Sequence, residues 1–383
     1  MQETKFQVQI TIGTVNELTV QAISDPSEIL ELEDVLDDFT KKWSKNPFLL
    51  AGFISQFMKS NRTRGWTPYI FIVKSNEMIV GTVPLMIKKR LEMRFAQFFM
   101  DYSFSPDFVV EELYRDACIK CVFEYLFKKL NCSFVSFHLP SESPNLEIIE
   151  EQCKLSGIDF SSYDHSKHFI IPVECSWEEF QGKKGRRRII RQIERKLDDL
   201  GEWEVEYFDD ISDRPDLFGK ILNVEKRSWK GHTPKVLIVT AEEILMALSG
   251  SQIVAKSRPE FKCSAWFLQI NGKAVAYTYV IKYRGRALIH KTAYDDTYRK
   301  SYVGKYIMNI AIRDMFNEGQ VKTIDFMGDF AFMEFWTSLS SNYVKVFLRK
   351  GNVAPLVKSL KVFNIVLDKL PDDKKPRFLK TLF

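Results

Sequence analysis

The chain is poor in the residues that build stapled, fibrous or low-complexity proteins. Six cysteines in 383 residues are too sparse for a disulfide framework. Glycine (17) and proline (14) are too few for a collagenous or low-complexity chain. Long hydrophobic runs are lacking as well. The longest apolar stretches, such as Tyr69–Val73 and Val275–Ile281, fall far short of the roughly 18 residues that a membrane-spanning helix needs. Residues Met1–Asp25 alternate, as in KFQVQITIG and ELTVQAIS, and contain no apolar segment of a secretory signal. These absences predict a cytoplasmic protein. Charge of one sign is also in short supply: 55 Lys and Arg stand against 50 Asp and Glu, a net +5 that does not by itself suggest nucleic acid, so no DNA partner is expected.

What is present is core. Hydrophobic residues make up 45% of the chain and phenylalanine alone occurs 31 times, so the cores should be rich in aromatic rings. At about 150 residues per domain the length suits two domains plus ends. In the first half the patterning predicts helices over Pro26–Trp43 and Asn46–Ser60. A hairpin follows, Thr67–Lys74 and Met78–Lys88, then a strand at Phe95–Tyr102, a long helix at Glu111–Lys129, a strand at Cys132–Leu139 and a short helix at Pro144–Leu155. Cys118 and Cys121 form a CxxC inside the long helix. With no second pair at zinc-ligand spacing they are two small helix residues, and no metal is expected. Gly157–His168 lacks apolar periodicity and is rich in serine, which places the domain boundary there: 1–165, 166–350, and a basic amphipathic extension over 351–383.

The second half opens on the capping box Ser176–Glu179, pauses at Gly182 and Gly185, and resumes as a helix over Arg186–Leu200. A strand (Glu204–Phe208) and a helix (Leu217–Trp229) follow, and a second capping box, Thr240–Glu243, starts a helix to Leu248. Three strands come in series, Cys263–Ile270, Ala274–Lys282 and Ala287–Tyr294, joined by turns at Asn271-Gly272 and Arg284-Gly285. A helix over Val303–Phe316, a strand over Lys322–Met327, an aromatic segment Phe330–Leu339 and a strand Tyr343–Lys350 complete the chain's second half. Both halves share one order of elements, so the expected fold is a duplicated α+β, or mixed α/β, domain.

The loop Asp295–Tyr302 feeds a helix opened by Gly304. Unpaired amides at a helix start suit a pyrophosphate, and Arg299, Lys300 and Lys305 add positive charge. Three antiparallel strands, then this loop and helix, then a strand, a short helix and a strand, is an order that resembles the GNAT N-acetyltransferase superfamily. There the loop binds the pyrophosphate of acetyl-coenzyme A and reads Arg/Gln-x-x-Gly-x-Gly/Ala. Arg299-Lys300-Ser301-Tyr302-Val303-Gly304 matches at its first and last positions, with Tyr302 at the middle glycine. The resemblance therefore implies that Arg299, Lys300, Ser301, Tyr302, Val303, Gly304 and Lys305 hold acetyl-coenzyme A or another acyl-coenzyme A. Ser176–Glu206 resembles the opening of the BioF2-like, or CelD-like, acetyltransferase domain. Asp325-Phe326-Met327-Gly328-Asp329, with Phe332 and Trp336, resembles its later Asp-Phe…Gly-Asp…Tyr-Lys…Trp segment. Phe332 and Met333 stand at the usual Tyr and Lys, and one residue is missing before Gly328. The resemblance implies two tandem GNAT-like domains, each a mostly antiparallel sheet flanked by helices. The first would be the degenerate partner, as in the FemABX aminoacyl-transferases.

Acyl transfer to an amine needs a deprotonated nucleophile, a polarised thioester carbonyl and a proton for the leaving thiolate. His290, on the strand before the loop, can serve as a base, or be a satisfied histidine within the sheet. Asp329, just past a strand end, can bind or deprotonate an amine, or cap the helix that follows. Trp229, Lys230, Asp295 and Trp336 lie on the expected acceptor side, with packing and turn-capping as their competing roles. The stretch Lys183–Lys196 places eight basic residues beside an apolar stripe of Ile189, Ile190, Ile193 and Leu197, so it is either a solvated basic face or a site for an anionic ligand. It and the 351–383 extension also leave peripheral membrane contact open. The leading expectation is a direct-transfer N-acyltransferase acting on a small-molecule or glycan acceptor, such as an amino-sugar of a surface polysaccharide or glycolipid. The alternatives are a FemABX-like enzyme drawing on charged transfer RNA, and an inactive binding protein with the same fold.

Overall fold

The computed structural model describes residues 5–6, 18–60, 63, 65–90, 93–100, 104–182 and 185–350. The extension 351–383, most of the alternating segment Met1–Asp25, and Lys183 and Lys184 lie outside the described residues. The described residues form one sheet of fourteen strands with helices on both faces.

In the first half, β1 (Lys5–Phe6) and β2 (Leu18–Ile23) lead to helices α1 (Pro26–Glu31), α2 (Glu33–Trp43) and α3 (Ala51–Lys59). Strands β3 (Thr67–Ser75), β4 (Met78–Arg90) and β5 (Met93–Phe98) follow, with the short β6 (Val109–Val110) beside β4. Helix α4 (Arg115–Phe123) runs on into a wider π-type turn, Glu124–Lys129, and β7 (Cys132–Pro140) and α5 (Asn145–Ser156) complete this half. Then comes β8 (Ile158–Pro172), the longest strand. In the second half, α6 (Trp177–Gly182), α7 (Arg186–Asp198), β9 (Trp203–Phe208), α8 (Pro215–Arg227) and α9 (Pro234–Ser257) precede β10 (Phe261–Ile270), β11 (Lys273–Tyr283) and β12 (Arg286–Tyr294). Helix α10 (Val303–Asn317), β13 (Thr323–Asp325) and β14 (Ser340–Lys350) end the described chain.

The strand order is β1-β2-β3-β4-β5-β7-β14-β8-β13-β12-β11-β10-β9. It is a near palindrome. Inward from β2 and from β9, three antiparallel pairings lead to one parallel pairing, β5 with β7 and β12 with β13. At the centre, β14 lies antiparallel between β7 and β8, and β8 lies between β14 and β13. The last strand of each half is thus inserted into the other.

Two expectations are corrected here. Gly157–His168 is no linker: the boundary expected at 165/166 falls inside β8. Its serines misled because residues from Asp159 to Lys167 are exposed or half-buried, so the strand shows no apolar alternation. Nor does a helix start at Thr240: α9 begins at Pro234, whose fixed φ suits a first turn, and runs past Leu248 to Ser257. Gly250 does not break it because Phe53 of α3 fills the space, with a ring carbon 2.6 Å from where a Cβ would lie.

Alternation along the strands divides the core. Ile70 and Ile72 face one way and Phe71 and Val73 the other; Cys263, Ala265 and Phe267 face one way and Trp266, Leu268 and Ile270 the other. One face carries a single cluster shared by both halves, in which Phe48, Phe53 and Phe57 meet Val254, Tyr279 and Tyr283. The opposite face carries two separate clusters, one per half. The glycine turns behave as their composition demands: Asn271, Gly272, Arg284 and Gly285 all have positive φ, the geometry of tight hairpins.

Candidate functional site

The site is built where β12 and β13 part. They pair in parallel only from Arg286↔Thr323 to Leu288↔Asp325, and β12 then continues alone on that edge to Tyr294. Opposite, the β11–β12 register shifts between Val280↔Ile289 and Tyr279↔Lys291, which leaves His290 as the extra residue of a bulge. Alternation from Leu288 places His290 on the shared face, and the bulge brings Lys291 round to the same side, toward Glu243 of α9. His290 is buried there among Phe48 (6.0 Å between ring centres), Phe104 (5.9 Å) and Tyr279 (5.6 Å), at the seam between the halves.

Asp295 follows β12. Its carboxylate accepts from the Thr297 amide at 3.1 Å and binds Arg227 Nε at 2.6 Å and Lys273 Nζ at 3.5 Å. Burial opposes its ionisation, but the Thr297 hydrogen bonds and the Arg227 guanidinium outweigh it and hold the carboxyl below its ordinary value. Asp295 is therefore a buried cap, not an acceptor ligand. A 3-10 turn, Asp296–Ser301, leads to Tyr302 at φ +58°, and α10 starts with no side-chain cap. Left-handed backbone at a tyrosine costs energy, and here it turns the chain into the helix. Gly304 has an intramolecular reason: a Cβ would lie 2.6 Å from the Tyr294 ring, so the close approach it permits is Tyr294's. Val303 is wholly buried, and its side chain packs in the core of the second half.

The two basic features of the sequence meet at this loop. Lys196 of α7 donates to the Lys300 carbonyl at 3.1 Å and lies 4.8 Å from the Tyr302 ring centre. Lys305 lies 5.8 Å from the same ring and 4.1 Å from Phe335, and burial lowers its pKa. Arg299 and Lys300 are exposed beside them. Not all of the basic stretch is a surface. Arg186 is buried and donates to the carbonyls of Phe180, Phe335 (3.1 Å) and Trp336 (2.5 Å), pinning α7 to the segment after β13. Arg188, Arg191 and Arg195 are exposed.

On the acceptor side, Trp229 is exposed and Lys230 binds Glu225 at 2.9 Å. Burial lowers the Lys230 pKa, with Glu225 resisting. Glu225 is itself fully buried and accepts from the Tyr277 hydroxyl at 2.6 Å. Beside it, Lys291 of β12 pairs with Glu243 of α9. Glu225, Tyr277, Lys291 and Glu243 were not singled out from the sequence. The available signal was Glu225 itself, a carboxylate four residues after Ile221 on the apolar stripe Leu217, Ile221, Val224. Trp336 is not an acceptor residue: it is 1% exposed and packs on Phe326 and Phe335, because its segment folds back over the core. Asp329 is exposed, and Phe330 rather than Asp329 is the N-cap of the short turn Ala331–Phe335. The motif's first acid, Asp325, is buried at the end of β13. It binds His168 of β8 (3.3 Å) and Arg286 (2.9 Å) and accepts from the Met327 amide (2.7 Å). Burial opposes its ionisation, but these partners keep its pKa below the ordinary value. Cys118 and Cys121 are buried in α4, where burial pushes the Cys121 thiol up to about 12.

Comparison with known proteins fits this geometry. Residues 184–333 match the family model of the acetyltransferase (GNAT) domain. No curated protein matches the chain by sequence. Among solved structures, FemX aligns with a TM-score of 0.56 at 12% identity, over 86% of this chain and 98% of that one. The C-terminal domain of a putative lysylphosphatidylglycerol synthetase from Agrobacterium fabrum aligns with a TM-score of 0.53 at 11% identity, over 90% and 97%. L-PGS from Bacillus licheniformis aligns with a TM-score of 0.51 at 12% identity, over 92% and 98%. At such identities the likeness is one of fold. Residues 184–333 are thus a GNAT acetyltransferase domain, carried on a mixed α/β fold of two like halves.

Proposed function

We propose that the second half transfers an acyl group from a coenzyme A thioester to an amine. One observation carries this reading: α10 starts without a side-chain cap beside the parting of β12 and β13, ringed by Lys196, Arg299, Lys300 and Lys305. Helix-start amides and the helix dipole attract a pyrophosphate, and the four cations strengthen that attraction. The bound thioester supplies the activated acyl carbon; the chain's own groups must place and deprotonate the amine. Asp329 is suited to receive an amine at the exposed mouth, and Glu225, held by Tyr277 and Lys230, is a buried carboxylate near the acceptor side. In its specific form the reading has an acetyl donor and an amino-sugar acceptor.

A second reading is aminoacyl transfer from charged transfer RNA. It is supported by the fold likeness to FemX and by the exposed Arg188, Arg191 and Arg195, which extend the positive surface along α7 from Lys196 at the loop.

A thermal-shift titration separates the two. Acetyl-coenzyme A at a hundredfold excess over its dissociation constant should add about 2.7 kcal/mol of apparent stability. Arg299→Ala should weaken the shift. No shift with acetyl or longer acyl thioesters sinks the first reading, and a gel shift with aminoacylated transfer RNA then tests the second.

A further inference from the structure

Helix α9 is long and apolar enough by composition to cross a bilayer. Its later turns are packed: Ala247, Leu248, Gly250, Ser251 and Val254 are buried. The beginning of the helix is different. Ile238 is 58% exposed, Val239 49% and Leu245 52%, and Trp229, in the turn that joins α8 to α9, is 56% exposed. Ile238 and Leu245 lie seven residues apart, on one helix face, with Val239 beside it. A cluster of large apolar side chains in water is uncommon in a folded protein and marks a surface that another phase or molecule covers.

The charge around this corner selects what covers it. From Lys226 to Leu245 the chain contains Lys226, Arg227, Lys230, His232 and Lys235 against two acids, of which Glu243 pairs with Lys291 and Glu242 is half-buried. Arg227 and Lys230 are engaged with Asp295 and Glu225, and His232 faces Asp296 at 3.2 Å. Lys226 and Lys235 are exposed. An exposed tryptophan and branched aliphatic residues flanked by exposed lysines match a lipid interface: rings and alkyl groups enter the acyl boundary while ammonium groups meet anionic headgroups.

We propose that the α8–α9 corner, through Trp229, Ile238, Val239 and Leu245 with Lys226 and Lys235, docks this protein on an anionic lipid surface. The contact is independent of which acyl donor the site takes. The corner stands beside the candidate site, since His232 reaches Asp296 of the loop and Glu243 of α9 reaches Lys291 of β12.

The test is flotation of the full chain with vesicles of pure phosphatidylcholine and of phosphatidylcholine containing about 25% phosphatidylglycerol. The chain should float with the anionic vesicles, at least about tenfold more strongly than with the neutral ones. Ile238→Glu/Val239→Glu should lower that partition by about tenfold or more with an unchanged melting temperature, because both side chains are exposed. Lys358→Glu/Lys361→Glu, in the basic C-terminal segment, should retain it. The proposal is overturned if the chain does not float with anionic vesicles. It is equally overturned if the Lys358/Lys361 variant loses binding while the Ile238/Val239 variant keeps it, which would assign the contact to the C-terminal segment. Light scattering showing a dimer that the Ile238/Val239 variant dissociates, without vesicle binding, would instead make a second copy the occupant.

Discussion

Single side chains decide whether the loop at β12 and α10 keeps its shape. Gly304 is required by Tyr294, so Gly304→Ala should cost about 1–3 kcal/mol through overpacking. Thermal denaturation should show this cost shrinking in a Tyr294→Ala background, because the clash is pairwise. A second residue-scale effect concerns pH. Asp37 is fully buried, and burial pushes its carboxyl up to about 6, against the pull of the Ala51 amide and the Arg258 guanidinium. Its folded pKa lies above the ordinary 3.8, so the native state holds this proton over a range in which the unfolded chain has released it. The contribution is fully present below the lower value and is lost as pH rises through about 6. Asp107, also pushed up to about 6 by burial, acts in the same window. Denaturant titrations should therefore show a downward stability slope over that range, and Asp37→Asn, which keeps an oxygen for the Ala51 amide, should flatten it.

Among the elements, α7 shows how composition conceals a role. A run of arginines marks a basic helix, yet Arg186 is turned inward to bind three carbonyls, two of them beyond β13. Arg186→Ala should leave those acceptors short of partners and cost about 2–4 kcal/mol in urea denaturation, whereas Arg188→Ala, exposed on the same helix, should cost little. Most elements were legible because their periodicity reflects one buried face. The hairpin turns, the helix after the loop and the capping Ser176, which accepts from the Glu179 amide at 3.2 Å, all follow local rules. The failures share a cause. Helix α9 passes through Thr240 and Gly250 because α3 packs against it, and β8 lacks alternation because its middle residues are not fully buried. Neither reason is local.

For the molecule as a whole, the exchange of β8 and β14 couples the halves. Val344, Val346 and Leu348 of β14, the last described strand, belong to the core of the first half. We therefore predict that calorimetry shows a single cooperative unfolding transition. A fragment limited to 166–350 should aggregate, since it exposes the β14 edge that pairs with β7 and this apolar face. Two independent transitions, or a monomeric fragment with native-like near-ultraviolet circular dichroism, would refute strand exchange as the link.

Sequence alone determined the alternation of helices and strands, the likeness of the two halves, and the loop-to-helix start with its basic residues, because each is written within a few consecutive positions. Tertiary structure alone decided that α7 brings Lys196 to that loop, that Gly304 serves Tyr294, that His290 lies among rings from both halves, and that Glu225 meets Tyr277 and Lys230. These are contacts between residues far apart in the chain. They depend on how strands register and cross between halves, which no local pattern records.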